Sequence, residues 1–231
     1  MNKRHFFRSL VAVVIGLASI TMFSGCDLDD EEEDNETEEP EEEVVIPISN
    51  DIEGVVINGI RWATRNIDES GRFTSHYGQT GRYFQWNRIK AWTGSMDKKN
   101  WDDTSDAGPV WEKLNDPSPE GWRLPTLDDF EKLFDTEKVT IEWVWVMEYS
   151  IYGTKFTDET NGNAIFLPIK GFLNDFDGTP LLTAAGGLYW TGTPHELEET
   201  FAYAVGLYKN GPKLGSILRR NYGFLLRCVA E

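Results

Sequence analysis

The sequence predicts an α+β domain on three observations. Two segments in the first half of the body carry helix signals, and a succession of short β-branched and aromatic runs fills the second half. No internal repeat divides the chain. The 231 residues carry 22 basic and 39 acidic side chains, for a net charge of −17. That charge is unevenly placed. Residues 27–43 hold 13 acids and no base. Removing these and the three cations of the first 25 residues leaves the body 26 acids against 19 bases. No positive surplus is available to neutralise phosphates, so nucleic acid is excluded as a partner. Two cysteines exclude a disulfide scaffold.

Taken in order, Lys3, Arg4 and Arg8 precede the uncharged apolar run Leu10–Phe23. That run is shorter than the roughly 20 residues of a membrane span and suits a signal-peptide core. It ends in Phe23-Ser24-Gly25-Cys26, which resembles the lipobox of bacterial lipoproteins, with Phe23 where Leu is usual. The resemblance implies cleavage before Cys26, acylation of that residue, and anchoring to the membrane through lipid alone. Residues 1–25 are therefore read as a lipoprotein signal peptide, and 26–50 as the lipidated Cys26 with a disordered acidic linker. Charge this dense repels itself and buries nothing. The linker reaches on the order of 80 Å if extended. Acids directly after the lipidated Cys are similar to the surface-export signal of Bacteroidota lipoproteins. The expected location is the outer membrane, exposed at the cell surface; Asp27 would instead argue for inner-membrane retention under enterobacterial rules.

Residues 51–231 form one domain. Val55-Val56-Ile57-Asn58-Gly59-Ile60-Arg61-Trp62 reads as a hairpin, because Asn-Gly supplies the two positive φ angles of a type I′ turn. Tyr83 to Trp92 spaces Tyr83, Trp86 and Ile89 as one helical face. Thr126-Leu127-Asp128-Asp129, after Pro125, predicts a capped helix, with Leu127, Phe130, Leu133 and Phe134 on its apolar side. Strands are expected at 140–147, 164–168, 187–191 and 201–205, with a terminal strand in 223–229.

Four segments carry a resemblance to a known family. They are Gly54 to Asn66 (GVVINGIRWATRN), Gly81-Arg82-Tyr83-Phe84-Gln85-Trp86, Pro119-Glu120-Gly121-Trp122-Arg123-Leu124-Pro125-Thr126, and Tyr189-Trp190-Thr191 with Arg227-Cys228-Val229. In this order they resemble the Fibrobacter succinogenes major paralogous domain, a family of secreted and lipid-anchored bacterial proteins. The resemblance implies a C-type-lectin-like fold over 51–231. Family members often have Cys before the Pro of the third segment, paired with the Cys of the terminal strand. Here that position is Ser118, so Cys228 is expected as a buried, unpaired thiol.

Chemistry is sparse. The candidate bases His76 and His195 lie in no nucleophile motif, and no enzymatic activity is expected. Asn174-Asp175-Phe176-Asp177-Gly178 alternates oxygen donors as calcium loops do, but lacks the acid that closes such a loop. An Asx-rich turn explains the pattern without an ion. No cofactor is assigned, and calcium at Asp175 and Asp177 stays open. Trp92, Trp101 and Trp111 flank or follow polar loops, where rings stack on sugars or anchor a protein partner. The other reading is that they fold back over the core. With His195 and Tyr222 they make the candidate ligand-binding set. The expected function is a surface-anchored binding or adhesion domain for a glycan or a surface protein. The alternatives are an assembly subunit of a surface complex (a pilus tip or uptake system) and a hydrolase with an unrecognised site.

Overall fold

In the computed structural model the described residues are 54–95, 100–181 and 185–231; all lie in one compact unit, Glu41–Glu231. The signal segment, Cys26 and the acidic linker fall outside them. The strands are β1 (Val55–Ile57), β2 (Ile60–Glu69), β3 (Arg72–Phe73), β4 (Tyr83–Phe84), β5 (Ala91–Trp92) and β6 (Trp122–Arg123). The helix α1 (Leu127–Leu133) follows, then β7 (Val139–Val146), β8 (Ile151–Asp158), β9 (Ala164–Pro168), β10 (Phe172–Leu173) and β11 (Pro180–Leu181). The chain closes with β12 (Gly186–Pro194), β13 (Phe201–Tyr208), β14 (Gly211–Arg219) and β15 (Arg227–Ala230).

This is mostly β, and it corrects the α+β, C-type-lectin-like expectation of two helices. The expected helix at 83–92 is instead the ribbon β4–β5, with Tyr83 opposite Trp92. The reason is burial on more than one face. Tyr83, Phe84, Gln85, Trp86 and Asn87 are all buried, which a one-sided helix does not allow. Asn87 also turns to φ 54°, a left-handed value that interrupts any helix. Trp86 is held by Nε1 donating to Thr191 O at 3.0 Å.

The second helix forms as read. Thr126 Oγ1 accepts from the Asp129 amide at 3.2 Å, and Asp129 Oδ2 accepts from the Thr126 amide at 2.8 Å. The first hairpin forms too, with Asn58 and Gly59 at φ 43° and 79° between paired Ile57 and Ile60.

Among the described residues, three larger sheets and two two-stranded ribbons, β4-β5 and β10-β11, build the body. The first runs β1-β2-β15-β6 with β3 on the end of β2, so the terminal strand sits beside the first long one. Sheets β7-β8-β9 and β12-β13-β14 are antiparallel. The main core gathers Trp62, Phe130, Phe156, Leu167, Tyr189 and Leu225 between them. A second cluster around Trp86, Trp190 and Phe224 fills the other side. Cys228 lies in that cluster, fully buried, with Sγ 3.4 Å from Ser118 Oγ. Burial pushes its thiol up to about 12.

One buried charge ties the sheets together. Arg227 donates from Nε to Asn66 Oδ1 (2.8 Å), from Nη1 to Ala63 O (2.7 Å) and from Nη2 to Phe166 O (2.7 Å). Asn66 donates to Thr80 O and to Tyr189 Oη, each at 2.9 Å, and Tyr189 donates to Pro168 O at 2.6 Å. Every partner here is neutral, so the cation is solvated by carbonyl dipoles instead of a carboxylate. The network fixes the 80s loop and the end of β9 against β2. Those two segments border the recess described below.

Candidate functional site

The expected residues do not converge on one surface. Trp92 is only 8% exposed and belongs to the main core. Trp101 packs against it with ring centres 5.0 Å apart, and its Nε1 donates to Asp175 O at 3.3 Å. Gly178 lies under that indole, where a Cβ would fall 2.5 Å from it. Trp111 sits elsewhere, edge-on to Trp86 at 5.2 Å, with Nε1 donating to Asn115 O. These rings close loops over the core, the second of the two readings. Tyr222 stacks on Phe224 at 5.6 Å, and burial, with the Asp175 carboxylate beside it, raises its hydroxyl pKa. The structure therefore groups Trp92, Trp101, Asp175 and Tyr222. His195 uses Nδ1 to accept from the Glu198 amide at 3.1 Å and faces Tyr203.

Asp175 and Asp177 sit in the turn joining β10 to β11. Asn174 Oδ1 accepts from the amides of Phe176 and Asp177, and Asp177 Oδ1 accepts from that of Thr179. This is an Asx turn satisfied by its own backbone. Among the described residues no cluster of three or more His, Cys, Asp or Glu side chains is placed to hold a metal.

A cleft of about 1040 Å³ opens elsewhere, between the β2–β3 end of the first sheet and the β7–β8 hairpin. One wall carries Arg65, Arg72, Ser75 and Gln79; the other carries Trp145, Tyr149 and Tyr152; Ile169 and Lys170 form the base. The aromatic wall is built by register. Trp145 pairs directly with Tyr152, their rings 4.6 Å apart, and Tyr152 also stacks on Trp143 at 5.7 Å. Tyr149 ends a short 3₁₀ turn, Met147–Tyr149. Ser150 then adopts φ 48°, ψ 52°, a left-handed conformation that costs a non-glycine residue about 1–2 kcal/mol. Tyr149 packs onto Gly78 so closely that a Cβ there would lie 2.0 Å from the ring. The chain thus bears local strain to set this ring on the rim.

The electrostatics of the two walls differ. Burial and the Glu148 carboxylate push the Tyr149 hydroxyl up to about 12, so it is a protonated donor at neutral pH. On the facing wall, Arg72 Nη2 meets Asp68 at 2.9 Å and Glu69 at 3.1 Å. Arg82 reaches the same two acids from behind, at 3.4 and 3.5 Å. The lining counts three cations, Arg65, Arg72 and Lys170, against one acid, Asp68.

Of these residues, the sequence covered only Trp145, which lies with Trp143 on the strand expected at 140–147, a spacing of two that puts both on one face. Trp143 does pack on the main core, while Trp145 lines the cleft. The alternation Trp143-Val-Trp145 followed closely by Tyr149 and Tyr152 was the available signal of an aromatic hairpin rim. Nothing in the sequence placed the cations opposite it. No family model, curated protein or solved structure matches this chain.

Proposed function

We propose that the chain is a surface-anchored binding module whose body captures a glycan in the cleft between the β2–β3 end and the β7–β8 hairpin. One observation carries this reading. Three aromatic rings, Trp145, Tyr149 and Tyr152, face polar side chains across an open recess of saccharide size. The lipobox-like segment ending in Cys26 and the acidic run behind it support tethering at an outer surface, with the body held away from the membrane. The test is a glycan array probed with the full-length chain, repeated with Trp145→Ala. Binding that disappears in the variant while its circular dichroism is retained supports the reading. An array without signal, or an unaffected variant, counts against it.

A second reading, an assembly subunit of a surface complex, is favoured by β14. Among the described residues this strand is paired only with β13, and Leu214 and Ile217 on it are exposed. An unpaired edge of this kind accepts a strand from another chain. Recovery of one fixed protein partner after crosslinking, lost with Ile217→Lys, would favour it.

A further inference from the structure

We propose that the occupant of the cleft is an acidic saccharide, one bearing carboxylate or sulfate groups; this rests on reading the cleft as a glycan site. The first argument is charge. The body carries 26 acids against 19 bases, an excess that repels anionic ligands at long range. The cleft lining reverses that sign, with Arg65, Arg72 and Lys170 against Asp68, while Glu69 touches Arg72 from outside the lining and is shared with Arg82. A neutral sugar gains little from three cations, whereas an anionic one finds here a local attraction that the surrounding surface lacks.

The second argument is the way the cations are held. Both carboxylates that touch Arg72 meet the same atom, Nη2. Its Nε and Nη1 make no hydrogen bond to a described residue. The guanidinium is therefore steadied from one side with its other donors turned to solvent, its side chain 60% exposed. A guanidinium edge with two free N–H directions suits the paired oxygens of a carboxylate or sulfate. Lys170 is exposed at the base, forms no ion pair with a described residue, and follows the buried Ile169, which fixes its backbone. Its position is set further by Tyr83, whose hydroxyl donates to Lys170 O at 2.7 Å.

The third argument is the facing wall. A sugar ring laid on Trp145 and Tyr152 places its substituents across the recess toward Arg72 and Lys170. An alternating series of rings and acidic groups matches both walls at once, which neither a bare anion nor a neutral glycan does.

The test uses the full-length chain in detergent, titrated calorimetrically with three tetrasaccharides: a neutral galactan, an oligogalacturonate and a chondroitin sulfate. At about 20 mM salt, where screening is weak, one or both acidic probes should bind at least tenfold more tightly than the neutral one. The gap should narrow at about 300 mM. Arg72→Gln and Lys170→Gln, both at exposed positions, should each weaken acidic binding about twofold to fivefold, and more than they weaken neutral binding. Whichever acidic probe wins identifies carboxylate or sulfate as the source. Equal affinity for neutral and acidic probes overturns the acidic assignment and leaves the glycan reading standing. Acidic binding that neither variant weakens places the anion outside this cleft and overturns the proposal as well. Failure of all three probes to bind, in a chain whose circular dichroism shows it folded, overturns both.

Discussion

Replacing Ser118 by cysteine should create a disulfide to Cys228 and stabilise the body. Ser118 Oγ lies 3.4 Å from Cys228 Sγ, and both backbones are already fixed. Cys228 is on β15, and Ser118 enters β6, which pairs with β15 through Val229–Arg123 and Ala230–Trp122. A sulfur–sulfur bond of about 2.05 Å therefore asks for a side-chain adjustment and no strand movement. The bridge spans a sequence separation of 110. Loop-closure entropy for a crosslink of that length gives about 4.8 kcal/mol at 25 °C, and native-state strain usually trims the gain to about 2–4 kcal/mol. At about 2–4 °C per kcal/mol for a domain of this size, the melting temperature should rise by about 4–16 °C. The assay is scanning calorimetry on a chain carrying Cys26→Ser, with and without reductant, alongside thiol titration. The oxidised variant should show no free thiol and the reduced one two. Two free thiols after oxidation would refute the packing of Ser118 on β15. A bond that forms without raising the melting temperature would refute the entropic argument.

Three further outcomes are expected. Burial opposes ionisation of Asp129, but the Arg123 guanidinium at 2.7 Å and the Thr126 amide outweigh it and hold the carboxyl below its ordinary range. A depressed carboxylate contributes stability above its unfolded value of about 3.9 and loses it as pH falls through the folded one. Asp129→Asn should therefore cost about 1–2 kcal/mol in urea unfolding at pH 7, with the difference shrinking as pH falls through the depressed folded value; a pH-independent gap would rule out the charge. Gly78→Ala forces the Tyr149 ring to move and should cost about 1–3 kcal/mol while weakening glycan binding, so unchanged affinity and stability would mean the ring is not seated there. Cys228, with its thiol near 12 against an ordinary 9.0, should alkylate at least about a thousandfold more slowly in the native chain than in urea, and comparable rates would contradict its burial.

What was legible in the sequence follows from the range of each interaction. The Asn58–Gly59 turn and the Thr126 cap are local: a few adjacent residues contain both partners of every hydrogen bond, so reading them in order suffices. Strands β9 and β12 were legible because their side chains are buried on both faces and the apolar run is continuous. The segment 83–92 misled for the opposite reason. Its spacing imitates a helix, yet its conformation is decided by partners far along the chain. Trp190 Nε1 donates to Phe84 O, Phe84 and Phe224 exchange backbone hydrogen bonds, and Gln85 Nε2 donates to Asn221 O. Each of those contacts crosses more than 100 residues, and tertiary pairing overrides a local period at that distance.

The candidate site was hidden by the same logic, which also explains why the tryptophans drew attention first. A lone indole beside a polar loop is visible in one dimension, but whether it is free depends on what folds under it. Gly178 and Trp92 lie against Trp101, and Trp86 against Trp111, so those rings are spent on closing loops. The cleft works differently, because no single segment contains it. Trp145 and Tyr152 are brought opposite by the β7–β8 register, and Lys170 is carried in by β9. Arg72 arrives on β3, at the far end of the first sheet. The Arg227–Asn66–Tyr189 network joins these three contributions through Phe166, Thr80 and Pro168, at the back of the recess. Loosening that network should therefore blunt ligand affinity without touching a lining residue. Asn66→Ala removes the oxygen facing Arg227 Nε and the donor to Thr80, and its effect on binding should exceed that of any exposed substitution at the same distance from the rim.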